Sequence, residues 1–136
     1  MSDPAPTASF LNPDDLPPPN GYSHVVDVVA ARVVYVSGQV PLDAGGGLVG
    51  AGNFEVQARQ CFANVGRALT AAGLEFEHVV KLGLFVTDIA HLTTLRRVRD
   101  EFIDGERPPA STLVQVAALF RADVLVEVEA VAVVPA

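Results

Sequence analysis

The 136-residue sequence contains no tryptophan, one methionine, one cysteine (Cys61) and one lysine (Lys81). A lone cysteine cannot close an internal disulfide and does not favour a cysteine zinc site, so a reducing compartment, the cytoplasm, is expected. Basic residues are also scarce: nine Lys and Arg stand against sixteen Asp and Glu, for a formal charge of −7. Phosphate backbones are held by cationic surfaces, and no nucleic-acid partner is expected. The one basic cluster, Arg96, Arg97 and Arg99, runs straight into Asp100, Glu101, Asp104 and Glu106. It reads as a helix face of mixed charge. No apolar run reaches the ~20 residues of a membrane span, and no basic segment followed by an apolar one opens the chain. A soluble, unprocessed protein with no membrane partner is the expectation.

Half of the residues are hydrophobic and 18% are charged, which is the composition of a globular chain. The length suits one domain with an adequate core. Prolines crowd the first twenty residues, ending in Pro17-Pro18-Pro19-Asn20-Gly21. Because proline fixes φ and lacks a donor, residues 1–21 are expected to be an extended or mobile arm. Residues 22–136 are then the folded domain.

Within that domain, His24 to Ala30 and Arg32 to Ser37 are valine-rich and are expected to pair as a hairpin through Ala30-Ala31. Asn53 to Ala72 places Ala58, Cys61, Phe62, Val65, Ala68, Leu69 and Ala72 on one helical face, with Asn53 as N-cap and Gly73 as stop. His78 to Thr87 reads as a strand with Val80, Leu82, Leu84 and Val86 on one side. Asp88 can cap a second helix carrying Leu92, Leu95, Val98 and Phe102, ended by Pro108-Pro109. Ser111 to Leu119 and Val124 to Val134 read as closing strands, the latter with a uniformly apolar set at its even positions. This order suggests an α+β fold, a sheet with two helices on one face. The second face, with Phe85, Val131 and Val133, is left for self-association.

Several strings resemble motifs. Gly45, Gly47 and Gly50 match the dinucleotide fingerprint, but no strand leads directly through them into a helix, so they read as a loop. His24, His78 and His91 lie in separate elements without ligand spacing, so no metal is expected. No serine sits in a nucleophile elbow. Lys81 could form a Schiff base, or lie with its stem along apolar neighbours. Arg99 falls in the apolar stripe of the second helix and suits a buried ion pair. Glu127 and Glu129 share one face of an otherwise apolar strand. Such carboxylates are solvated, paired, or poised in a cleft as a general acid or base.

Taken together, Gly21-Tyr22-Ser23-His24, Val34-Tyr35-Val36-Ser37-Gly38-Gln39-Val40-Pro41, Gln57-Ala58-Arg59-Gln60 with Asn64, Val79-Val80-Lys81 running to Asp88, and Val126-Glu127-Val128-Glu129-Ala130 resemble the RidA (YjgF-like) family of reactive-intermediate deaminases. The resemblance spans residues 22–134. It implies a chorismate-mutase-like mixed β-sheet with two α-helices packed on one face, a homotrimer, and small-molecule clefts between subunits, with no cofactor. It further implies hydrolysis of enamines or imines to a carbonyl compound and ammonia, as in 2-iminobutanoate/2-iminopropanoate deaminases. Glu127 would activate water, and Tyr22, Ser37, Gly38, Gln39 and Phe85 would shape the site.

One part of the family's pattern is missing. Its carboxylate-binding arginine corresponds to Ser111, in Pro109-Ala110-Ser111-Thr112, and the position two residues later is Leu113. A hydroxyl cannot replace a bidentate cation. The resemblance is therefore to an arginine-lacking branch, in which Arg96, at a cleft-bordering position, or Arg99, one turn on, could supply a displaced cation. The alternatives are a hydrolase or tautomerase for another substrate, and a non-catalytic ligand-binding or protective protein.

Overall fold

In a computed structural model of the protein, which describes residues 8–136, the longest element starts where Asn53 accepts a hydrogen bond from the backbone N–H of Val56. That side chain satisfies one of the donors every helix start leaves open. Helix α1 (Phe54–Ala71) ends before Gly73, which adopts φ +77°, a conformation costly for any residue with a Cβ. Ala58, Cys61, Phe62, Val65 and Leu69 are completely buried along one face, as the three- and four-residue spacing predicts. Each large side chain so buried contributes roughly 1.5–3 kcal/mol.

Ten residues, Ala30–Gln39, form β3, and Val79–Val86 form β4. A 3-10 turn at Ile89–His91, capped by Asp88 through the N–H of Ala90, leads into α2 (Leu92–Asp100). Strands β5 (Ala110–Gln115) and β6 (Val126–Pro135) follow. The sheet order is β3-β6-β4-β5, antiparallel except for the parallel β4–β5 pair, which α2 connects. Helix α1 packs on β3 and β6, and α2 packs on α1. Leu95 and Val98 of α2 join Val126, Val128, Ala130 and Ala132 of β6 in the core. Alternation then sends Glu127 and Glu129 to the face without helices. That face remains open, with Tyr35 79% exposed and Val33 and Val114 also exposed.

Three expectations change. The valine-rich runs do not make a hairpin. Instead β2 (Val25–Asp27) pairs with β1 (Ser9–Leu11) in a separate two-stranded sheet, while β3 pairs with β6. A tight hairpin needs positive φ in its turn, and no residue other than glycine has one among the described residues. Structure therefore begins ahead of Tyr22, inside the proline-rich segment, where His24 takes Pro17 O with its ring (2.7 Å) and Asn12 Oδ1 with its backbone N–H (2.8 Å). Finally, α2 stops at Asp100 and β5 at Gln115, both short of the expected limits.

Outside the core, the Glu55 carboxylate lies between Arg59 and Arg97, and Arg59 also binds Glu101 at 2.8 Å. This network fastens α1 to the end of α2. The Arg59 hydrogen bond holds the Glu101 carboxyl below the usual carboxylate range. The pair is solvated, so its contribution to stability is small.

Candidate functional site

Strand β3 carries an irregularity where it meets β6. Val36 pairs with Ala130 and Gln39 with Val128, so Ser37 and Gly38 together oppose Glu129 alone. The extra residue is a β-bulge, which re-aims side chains locally. It brings the backbone of Gly38 against Glu127, and a Cβ built at Gly38 would lie 1.8 Å from Glu127 Oε1. Phe85 of β4 is the register partner of Glu127. The half-buried Glu127 carboxylate thus sits beside Gly38 and Phe85, flanked by Ser37 and Gln39, whose amide donates to Ser37 O at 3.1 Å.

The approach of β6 to this point is fixed by a residue that the sequence placed in the resemblance but gave no role. Gln57, completely buried on α1, donates to Gly50 O and Asp123 O (both 3.0 Å) and accepts from Leu125 N (2.9 Å). Two of these bonds hold the chain entering β6, the nearer at Leu125, two residues ahead of Glu127. A buried glutamine within an apolar helical stripe is the sequence signal that could have found it.

Further along the same face, Glu129 bends over Gly83, where a Cβ would meet its Oε1 at 2.6 Å. A cavity of about 300 Å³ opens there, lined by Tyr35, Ser37, Lys81, Gly83, Glu129 and Val131 among others. Lys81 is exposed and donates to Thr112 Oγ1 at 3.0 Å. A solvated amine lacks the desolvation that makes a Schiff-base lysine nucleophilic. Cys61 is buried on the helix side, and its Sγ donates to Val126 O at 3.5 Å. Burial pushes its thiol up, and the Glu127 charge adds to the effect; it is an inert core thiol.

Ser111 and Leu113 are register partners of Leu82 and Leu84, so they stand on the helix side of the edge strand β5, and Leu113 packs against the core. Tyr22 is held nearby, because Ser23 donates its backbone N–H to Pro109 O (3.0 Å) and its hydroxyl to Pro108 O (2.6 Å). Gly21 rests on the guanidinium of Arg99, a side chain only 6% exposed that pairs with Asp100 through Nε at 3.0 Å. Arg96 is half-buried on α2 and has no hydrogen bond or ion pair among the described residues. The chain therefore gathers Glu127, Ser37, Gly38, Gln39 and Phe85 on the open face. Tyr22, Arg96, Ser111 and Leu113 lie on the other side of the sheet.

The remaining motifs have structural employment. The amides of Gly45 and Gly47 point at Asp43 Oδ1 (3.0 and 2.8 Å), so the glycine loop encloses a carboxylate of its own chain. His91 stacks on Phe54 with ring centroids 4.2 Å apart, and His78 accepts from the N–H of Glu75 at 3.1 Å. No group of three or more His, Cys, Asp or Glu side chains arranged to hold a metal ion occurs among the described residues.

A mixed sheet with two helices packed together on it, and a glutamate set against a glycine bulge on the bare face, defines a RidA-type α+β protein. Residues 13–134 match the family described as Endoribonuclease L-PSP, and the chain belongs to this RidA/YjgF-like family. It is similar to protein DfrA of Myxococcus xanthus, with 38% identity over 112 residues, covering 82% of this chain and 84% of that protein. The 2-iminobutanoate/2-iminopropanoate deaminase of Mus musculus is likewise 38% identical over 112 residues, 82% of this chain and 80% of the enzyme. Among solved structures, the Rid-family protein YyfB of Yersinia pestis, of unknown function, matches with a TM-score of 0.85 at 32% identity over 93% of this chain and 98% of that one. Escherichia coli TdcF with bound serine matches with a TM-score of 0.67 at 29% identity, over 98% and 97% of the two chains.

Proposed function

We propose that this small-molecule-binding family member assembles as a cytoplasmic homotrimer and hydrolyses an enamine or imine in clefts completed between subunits. The observation that carries the reading is the division of the site across the sheet. Glu127 faces one side and Ser111 the other, so no ligand held by one chain can touch both. A neighbouring subunit whose helix-side edge meets the open face would join the two halves, and would cover Tyr35 and Val33 at the same time. The mouse deaminase, with its matching length, supports the choice of reaction.

In this reading Glu127 takes a proton from water as the hydroxyl adds to the C=N carbon. The imine nitrogen gains a proton, giving a carbinolamine. The hydroxyl proton then passes to the amine, the C–N bond breaks, and a carbonyl compound and ammonia leave. Ser37, Gly38, Gln39 and Phe85 confine the substrate on the Glu127 side, and Tyr22, Arg96, Ser111 and Leu113 on the other. A net charge of −7 argues against RNA as the substrate.

The test is release of 2-oxo acid from a 2-imino acid generated in situ by an amino-acid oxidase. Wild type should accelerate release, and Glu127→Gln should lower the rate by about 10²-fold or more. No acceleration by wild type would overturn the hydrolase. Ser111, a hydroxyl where the family pattern has a cation, favours a second reading, a ligand-binding protein without turnover. Silence from wild type and Ser111→Arg alike would support it. Sedimentation velocity reads the trimer independently.

A further inference from the structure

We infer that the flank of α1 carries a second ligand site, separate from the Glu127 site, and that it takes a free amino acid in its zwitterionic form. A cavity of about 630 Å³, the size of a small-molecule pocket, lies between α1 and the loop that leaves β3. Gln60, Asn64 and Arg67 line it from one face of the helix, and Val40, Leu42 and Asp43 line it from the loop. Only Gln39 is common to this cavity and the Glu127 site, and its amide is engaged with Ser37 O at 3.1 Å. Asn64 is the fixed point. Its amide donates to Val40 O (3.0 Å) and Leu42 O (2.9 Å), and its Oδ1 accepts from Gln60 Nε2 and Arg67 Nη1 (both 3.0 Å). An asparagine amide has two donors and one oxygen with two lone pairs, so Asn64 is saturated and offers a ligand nothing. It does hold the Gln60 amide and the Arg67 guanidinium on a single oxygen, close enough together for one small molecule to touch both.

The groups left over define the ligand. The Gln60 amide nitrogen is engaged with Asn64 and with Leu42 O (3.3 Å), so only Oε1 remains, an acceptor. Among the described residues no buried side-chain oxygen is left without a partner, so Oε1 is open to solvent. Arg67 spends Nη1 on Asn64 and keeps Nε and Nη2, the parallel donor pair along one edge of the guanidinium that matches the two oxygens of a carboxylate. Arg67 forms no ion pair among the described residues, although Glu75 and Glu77 border the groove on its other side. At the loop, the amides of Gly45 and Gly47 occupy Asp43 Oδ1 and leave Oδ2 unbonded. A ligand that satisfies the site therefore offers a carboxylate to Arg67 and a cationic donor to Gln60 and Asp43. Val40, Leu42 and Ala68 supply an apolar wall for an aliphatic side chain. An α-amino acid carries all three features on adjoining atoms.

Calorimetric titration of the intact protein with L-leucine, L-leucinamide and 4-methylpentanoate tests the assignment without requiring turnover. The amide lacks the carboxylate and the acid lacks the ammonium, so leucine should bind about ten-fold tighter than either. Arg67→Ala, at an exposed position, should weaken leucine by about ten-fold or more. Asp43→Asn keeps an acceptor for the two glycine amides and removes the charge, and should weaken leucine by about three-fold. Glu127→Gln should bind leucine as wild type does, so the outcome is independent of the proposed hydrolysis. No leucine binding by wild type, equal binding of the three compounds, or unaltered leucine affinity in Arg67→Ala overturns the assignment. Loss of leucine binding in Glu127→Gln overturns it as well, by placing the amino acid in the hydrolytic cleft instead.

Discussion

The carboxylate of Glu127 occupies the space that any side chain at Gly38 would need, with Oε1 1.8 Å from the position of an ideal Cβ. The obstruction is the far end of a flexible side chain, so Gly38→Ala should displace the carboxylate and leave the sheet intact. In the imine assay, kcat should fall by about 10²-fold, the scale of a lost general base, with near-native circular dichroism. A Gly38→Ala protein with wild-type kcat would remove Glu127 from the chemistry.

Gln57 carries three hydrogen bonds to backbone groups of two separate segments. Gln57→Leu keeps the approximate volume and leaves Gly50 O, Asp123 O and Leu125 N without a partner. With ~1–3 kcal/mol for each buried group orphaned, a loss of about 3 kcal/mol or more is expected in urea unfolding. Because the released chain leads into Glu127, turnover should fall along with stability. A variant as stable as wild type would show that water replaces the amide.

Cys61 is protonated in the folded protein well past the pH at which a free thiol ionises, because burial and the charge of Glu127 both push it up. The unfolded thiol loses its proton near pH ~8.5. Above that pH the unfolded state binds fewer protons than the native one, so stability declines as pH rises. Cys61→Ala should flatten the decline between pH 8 and 10, whatever it does to absolute stability. Native protein should also resist a thiol reagent that labels the urea-unfolded chain at once. Rapid labelling without denaturant would contradict the burial.

The elements governed by local rules were legible in the sequence. Asn53 and Gly73 bracket α1 as their side-chain chemistry demands, and the alternation of β6 separates Val126, Val128 and Ala130 from Glu127 and Glu129. Pairing was less legible. Val25–Asp27 and Ala30–Gln39 are both valine-rich, and nothing local tells the first to seek Ser9–Leu11 and the second to seek β6. The resemblance pointed to Ser37, Gly38 and Glu127 as one cluster, but not to the bulge that creates it, since a bulge belongs to two strands at once. The burial of Arg99 could be read from its place among Leu95 and Val98, whereas its contact with Gly21 joins residues far apart in the chain and has no local signature.

Lys81 is the only side-chain amine in the protein, and it stands exposed on the open face with Thr112 as its partner. An acylating reagent can therefore modify one lysine and no other, which turns that face into a spectroscopic address. If subunits bury the face in the proposed trimer, labelling at Lys81 should be slow in concentrated protein and quicken as dilution separates the chains. Mass spectrometry would read the state of assembly from a single modified residue.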